Sequence, residues 1–133
     1  MIEPWSEIES FYREFAQSGE AAALAMMRLA GQIKASPYAQ ALNGWTSMLD
    51  LCIAQVPCKR PYDGPYLRIS PRGDGTIEFR YMDTSIEARQ WHRRVKEEDA
   101  FLRLERFIDQ LHWVAREGKR DRAASGSASA TRP

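Results

Sequence analysis
Cysteine is almost missing: Cys52 and Cys58 are the only two among 133 residues. Two thiols do not make a disulfide framework, and joining them to His92 and His112 lacks the short-loop spacing of a zinc finger. Neither a metal nor a cofactor is expected. Long hydrophobic runs are also lacking, with none near the ~18–20 residues of a membrane span. The opening MIEPWSE is acidic where a signal peptide would be basic, so the expectation is a cytoplasmic chain with no membrane partner. No charge sign dominates. Nineteen basic and eighteen acidic side chains leave +1, which gives no long-range pull toward nucleic acid or anionic lipid. The P-loop, GxGxxG and HExxH motifs are absent as well.

What is present is globular. An apolar fraction of 44% and a charged fraction of 28% exclude wholesale disorder. From Gly118 the chain reads GKRDRAASGSASATRP, with nothing apolar larger than Ala. Residues 1–117 are therefore expected to form one domain and 118–133 a flexible basic tail. Charge is uneven along the domain: residues 1–58 hold six acids against three bases, and 59–95 hold eight bases against five acids.

The pattern is helical, then extended, then helical. Trp5, Ile8, Phe11 and Phe15 predict a helix from Pro4 to about Gln17, with Ser6 and Glu9 as a potential capping box. Ala22, Met26, Leu29 and Ile33 predict a second from Glu20 to Lys34. Ser36–Pro37 suits the start of a third, and Tyr38, Leu42, Trp45, Leu49, Cys52 and Val56 continue a helical stripe. A helix from Pro37 to Gln55 is preferred there. Against it, Asn43–Gly44 is a break signal, and Leu49, Leu51 and Ile53 alternate as a strand would.

Tyr66–Ser70 and Thr76–Met82 read as a β-hairpin around the turn Pro71–Gly75. Leu67, Ile69, Ile77, Phe79 and Tyr81 face one way, and Arg68, Glu78 and Arg80 the other. Ile86–Val95 is preferred as a further strand, on which Arg89, Trp91, Arg93 and Val95 share a face. A helix capped by Thr84 and Glu87 is the alternative. Glu98–Glu117 reads as a long helix, with Gly118 as its C-terminal cap. The predicted class is α+β: a helical N-terminal half, a small antiparallel sheet of two to four strands, and a long C-terminal helix packed on the sheet.

Candidate chemistry is sparse. A thiol and imidazole nucleophilic pair, or paired carboxylates among Glu78, Asp83, Glu87 and Glu97–Asp99, each have plainer structural readings, so no enzyme is expected. The cluster from Arg89 to Arg94 is richer. Arg89, Trp91 and Arg93, joined by Arg68, Glu78 and Arg80 from the hairpin, form the candidate partner-binding patch, because Arg and Trp anchor protein interfaces. The same residue types can stack on bases and pair with phosphates, so a small nucleic-acid-binding module using Arg89, Trp91, Arg93, Arg94 and the tail is the alternative.

The stretch TIEFRYMDTSIEARQWHRRV, from Thr76, and RLERFIDQLHW, ending at Trp113, resembles small bacterial proteins. In size and layout these are similar to the immunity proteins that neutralise toxins exchanged between bacteria. The resemblance covers about a third of the chain. It implies a cytosolic, non-enzymatic protein that occludes one protein partner, a toxin encoded next door.

Overall fold
A computed structural model describes residues 2–56, 65–83 and 90–114. Helix α1 runs Trp5–Gln17, with Pro4 in extended conformation at its N-cap. Its buried side chains are Trp5, Ile8 and Tyr12. The buried stripe is thus rotated from the expected one: Phe11 is half-buried and Phe15 exposed. The Ser6–Glu9 capping box does not form. Glu9 instead accepts from Lys34 at 2.6 Å and lies 3.4 Å from Arg13, tying α1 to helix α2, Ala21–Lys34. The bond from Lys34 holds the Glu9 carboxyl below the usual carboxylate range. The inner side of α2 buries Met26, Leu29, Ala30 and Ile33.

The segment expected as one helix from Pro37 to Gln55 is not one. A single turn, α3 (Tyr38–Ala41), precedes a hairpin of β1 (Asn43–Ser47) and β2 (Asp50–Ala54). Trp45 and Cys52 are buried on one side of this hairpin and Leu51 and Ile53 on the other. A strand buried on both sides loses its polar–apolar alternation, and its apolar residues then fit a helical stripe by coincidence. Asn43 closes the open end of this hairpin: its Nδ2 donates to the Gln55 carbonyl at 3.1 Å.

The expected hairpin is present as β3 (Tyr66–Pro71) and β4 (Thr76–Met82). Gly73 and Gly75 take positive φ in the turn, and Asp74 accepts from the Thr76 N–H at 3.0 Å. The preferred strand reading continues as β5, Trp91–Lys96; Thr84, Ile86, Glu87 and Arg89 lie outside the described residues. The sheet therefore has five strands rather than two to four, all antiparallel and ordered as in the chain. A 3-10 turn at Glu97–Asp99 leads into α4, Ala100–Leu111. This helix ends six residues before the expected Glu117, because His112 adopts φ 57 and Trp113 N–H returns to the Ile108 carbonyl at 3.1 Å. Gly118 and the tail are outside the described residues.

The chain divides into two compact units, Met1–Arg103 and Leu104–Pro133, with the boundary inside α4. In the first, register places Gly44, Leu51, Ile53, Leu67, Ile69, Ile77, Phe79 and Tyr81 on one sheet face. The core forms there, under the helices. Leu51, Ile53, Leu67, Ile69, Ile77 and Phe79 are fully buried, each worth roughly 1.5–3 kcal/mol by transfer from water.

Gly44 is the seat for α1. A Cβ built on it would come within 2.8 Å of the Trp5 ring and 3.1 Å of Ile8. The indole is rigid and its Nε1 donates to the Leu42 carbonyl at 3.3 Å, so it cannot retreat cheaply. Gly44→Ala is expected to cost about 1–3 kcal/mol through overpacking, read from the urea midpoint. Adding Trp5→Phe, which removes the ring atoms nearest Gly44, should recover part of that loss. An unchanged midpoint for Gly44→Ala would show that this contact does not seat the helix.

Candidate functional site
The sheet's second face carries the polar chemistry. Antiparallel register places Trp45, Cys52, Arg68, Arg80 and His92 in a row across all five strands. Beside it run Ser47 and Asp50, then Ser70, Glu78 and Arg94. The rows change character across the sheet. Trp45 and Cys52 are buried with Ala54 and Tyr66 in a small apolar cluster that Met82 flanks. Arg68 and Asp50 are half-buried, and the side chain of His92 is 76% exposed.

Arg68 and Arg80 stand directly opposite each other on β3 and β4. Like charges in that position repel, and a carboxylate must come between them. Asp50 supplies it: Oδ2 accepts from Arg68 Nε at 2.6 Å and lies 3.6 Å from an Arg80 Nη. Arg68 also reaches the Ser47 hydroxyl at 3.3 Å, and Arg80 the Ser70 hydroxyl at 3.2 Å. One carboxylate thus serves two guanidinium groups, an excess of positive charge among the described residues of this row. Further out, Glu78 lies 3.5 Å from Arg72 and 3.7 Å from His92, and Arg94 lies 3.6 Å from Asp74.

Two buried donors on this face, Trp45 Nε1 and Arg80 Nε, have no hydrogen-bond partner among the described residues. Each orphan of this kind costs about 1–3 kcal/mol. Such violations of local consistency concentrate at functional sites, and both stand in the same cross-strand row.

The expected patch is split by the register. Arg68, Glu78 and Arg80 do share the polar face. Trp91 and Arg93 do not: they pair with Tyr81 and Phe79, which places them on the apolar side of the sheet. Being on adjoining strands is insufficient, because pairing parity decides the face. There Trp91 stacks on Tyr81 with ring centroids 5.8 Å apart, and the Arg93 guanidinium lies 5.5 Å from the Trp91 ring. Arg89 lies outside the described residues. Sequence reasoning also missed Ser47, Asp50 and Ser70 as members of the patch. With residues 37–55 read as a helix, Asp50 had no strand from which to face Arg68.

The arrangement offers little for nucleophilic catalysis. Burial pushes the Cys52 thiol up to about 12, so at neutral pH it is protonated. Cys58 lies outside the described residues. Among the described residues, no three His, Cys, Asp or Glu side chains are grouped to hold a metal ion. A cleft of about 700 Å³ beside α2 is lined by Glu9, Arg28, Gln32, Glu97 and Glu98 with apolar residues, and has no thiol, hydroxyl or imidazole. No helix among the described residues is long and apolar enough to cross a membrane.

No family model matches the chain, and no curated protein or solved structure matches it either. The resemblance to immunity proteins therefore gains no support from relatives.

Asp50→Asn leaves two half-buried guanidinium groups facing each other, and is expected to cost about 1–3 kcal/mol in chemical denaturation. Removing Arg68 as well, in Asp50→Asn with Arg68→Gln, should cost less than the sum of the two single changes. Cys52 sets a pH dependence. The folded thiol holds its proton up to about 12, whereas the unfolded thiol releases it near the ordinary 9.0. Stability from this group is complete below 9.0 and falls as pH rises toward 12. Tyr12, raised by burial above its ordinary 10.0, adds a fall of the same sign at higher pH. Cys52→Ala should flatten the decline that begins first; an unchanged pH profile would show that Cys52 is not shielded from water.

Proposed function
We propose that this is a non-enzymatic, cytoplasmic protein-binding protein of immunity type, which occludes one partner with the polar face of its sheet. The observation that carries this reading is the row through Arg68 and Arg80: two guanidinium groups on Asp50, with Trp45 Nε1 and Arg80 Nε lacking a hydrogen-bond partner among the described residues. A partner surface rich in carboxylates complements that excess. Arg80, Arg72 and Arg94, with side chains 36%, 42% and 52% exposed, are the groups within its reach. A rigid sheet positions them without a large ordering cost. Arg68, Glu78 and Arg80 are retained from the expected binding set, and Trp91 and Arg93 are removed from this face.

For the nucleic-acid alternative, Trp91 and Arg93 share one face, the guanidinium 5.5 Å from the ring, while Arg94 stands on the other face. A single-strand binder needs stacking rings and phosphate-pairing groups on one surface.

The test begins with the product of an adjacent toxin gene. Co-purification with the chain and protection of cells from that toxin are expected. Arg80→Glu with Arg94→Glu should weaken the complex by about tenfold or more, while Arg94→Glu alone leaves the thermal midpoint nearly unchanged. Loss of protection without loss of fold would support the polar face as the contact. Unaltered protection would remove it, and a salt-sensitive shift of labelled single-stranded nucleic acid would favour the alternative.

A further inference from the structure
The turn between β1 and β2 departs from the usual chemistry of such turns. Ser47 and Asp50 pair across the two strands, so Met48 and Leu49 form a two-residue turn. Tight hairpins of this length need positive φ, and Gly, Asn or Asp normally provide it. Here Met48 adopts φ 56 and is 88% exposed. A side chain held in the left-handed region carries strain that glycine would avoid, and it is presented almost entirely to water. The turn is anchored from below, since Tyr12 Oη donates to the Leu49 carbonyl at 3.0 Å.

Beside it, Phe11, Phe15, Thr46, Met48 and Leu49 line an open cleft of about 460 Å³. Phe11 and Phe15 sit one helical turn apart, edge to face with centroids 5.1 Å apart, and Phe15 is 39% exposed. An apolar patch with an aromatic wall and an adaptable thioether suits an apolar anchor.

Charge limits the occupant. Glu7 and Glu14 are exposed and stand four and three residues from Phe11, the spacing that places side chains together on one helix face. Arg13, the single base of α1, is 3.4 Å from Glu9. The segment from Asn43 to Ala54 contains no lysine or arginine. A second copy would bring like charges together, and an anionic membrane would be repelled.

The geometry points to a docking site for a basic, amphipathic segment of a partner protein, whose apolar side chain seats between Phe15 and Met48 while flanking Lys or Arg meet Glu7 and Glu14. This surface is opposite in sign to the sheet's polar face and stands independently of what that face binds.

Three synthetic amphipathic peptides test it by fluorescence anisotropy: one with Leu at helical spacing and Arg between, one with Glu replacing every Arg, and one with Ser replacing every Leu. The Leu/Arg peptide alone should bind. Phe15→Ser should weaken it by at least about tenfold. Met48→Gly should weaken it comparably while raising the thermal midpoint, since glycine relieves the turn. Should Phe15→Ser impair folding, Met48→Gly decides alone. Equal binding of the Glu peptide, undiminished binding to Met48→Gly, or no binding of the Leu/Arg peptide would overturn the assignment. So would a dimer in sedimentation that Phe15→Ser dissolves, because a second copy would then cover the cleft.

Discussion
The Trp5 indole resting on Gly44 is the contact through which the helical layer and the sheet find their relation. It works because three groups agree. Gly44 has no side chain, the indole N–H is satisfied by the Leu42 carbonyl, and Glu3 extends the contact by donating its backbone N–H to the Gly44 carbonyl at 2.9 Å. The Glu3 side chain then meets Thr46, whose hydroxyl lies 3.3 Å from Oε2. The beginning of the chain is thereby fixed along β1, and this also covers part of an otherwise open sheet edge. Once α1 is seated, Tyr12 reaches Leu49 and Glu9 reaches Lys34, so the hairpin turn and α2 are positioned by the same helix.

From β2 to β4 the apolar face is buried, and the charged groups of these strands stand on the opposite face. There the balance is electrostatic rather than hydrophobic. Asp50 is the group that lets Arg68 and Arg80 stand in register on neighbouring strands. Its own position depends on the hairpin turn, which in turn depends on α1. The polar face is therefore coupled to the helical layer through the β1–β2 hairpin, although the two lie on opposite sides of the sheet. The opposite edge is managed differently: β5 carries Arg93, Arg94 and Lys96, charges that discourage pairing with another strand.

Much of the architecture was legible in the residues, and the failures have identifiable causes. Helices α1 and α2 and the β3–β4 hairpin follow from apolar spacing and turn chemistry, and β4 matches its expected bounds. The β1–β2 hairpin was hidden because Trp45, Cys52, Leu51 and Ile53 are all buried, erasing alternation. Asn43–Gly44 was the true signal, outweighed by a longer but accidental helical match. For the site, Arg68, Glu78 and Arg80 could be grouped from one hairpin. Trp91 and Arg93 could not be assigned to a face without the register of β5, since a shift of one residue exchanges the two faces.

The plain order of the strands has a consequence for how the molecule is made. Every strand pairs with its neighbour in the chain, so the sheet can close one hairpin at a time without waiting for a distant segment. The closures that seat α1 on the first hairpin are longer: Trp5 to Leu42 and Tyr12 to Leu49 each span 37 residues, and Glu3 to Thr46 spans 43. All of these partners precede β3 in the chain and so emerge from the ribosome before it. The two helices and the first hairpin can therefore assemble as a nucleus during translation, with each later strand adding to an edge already formed.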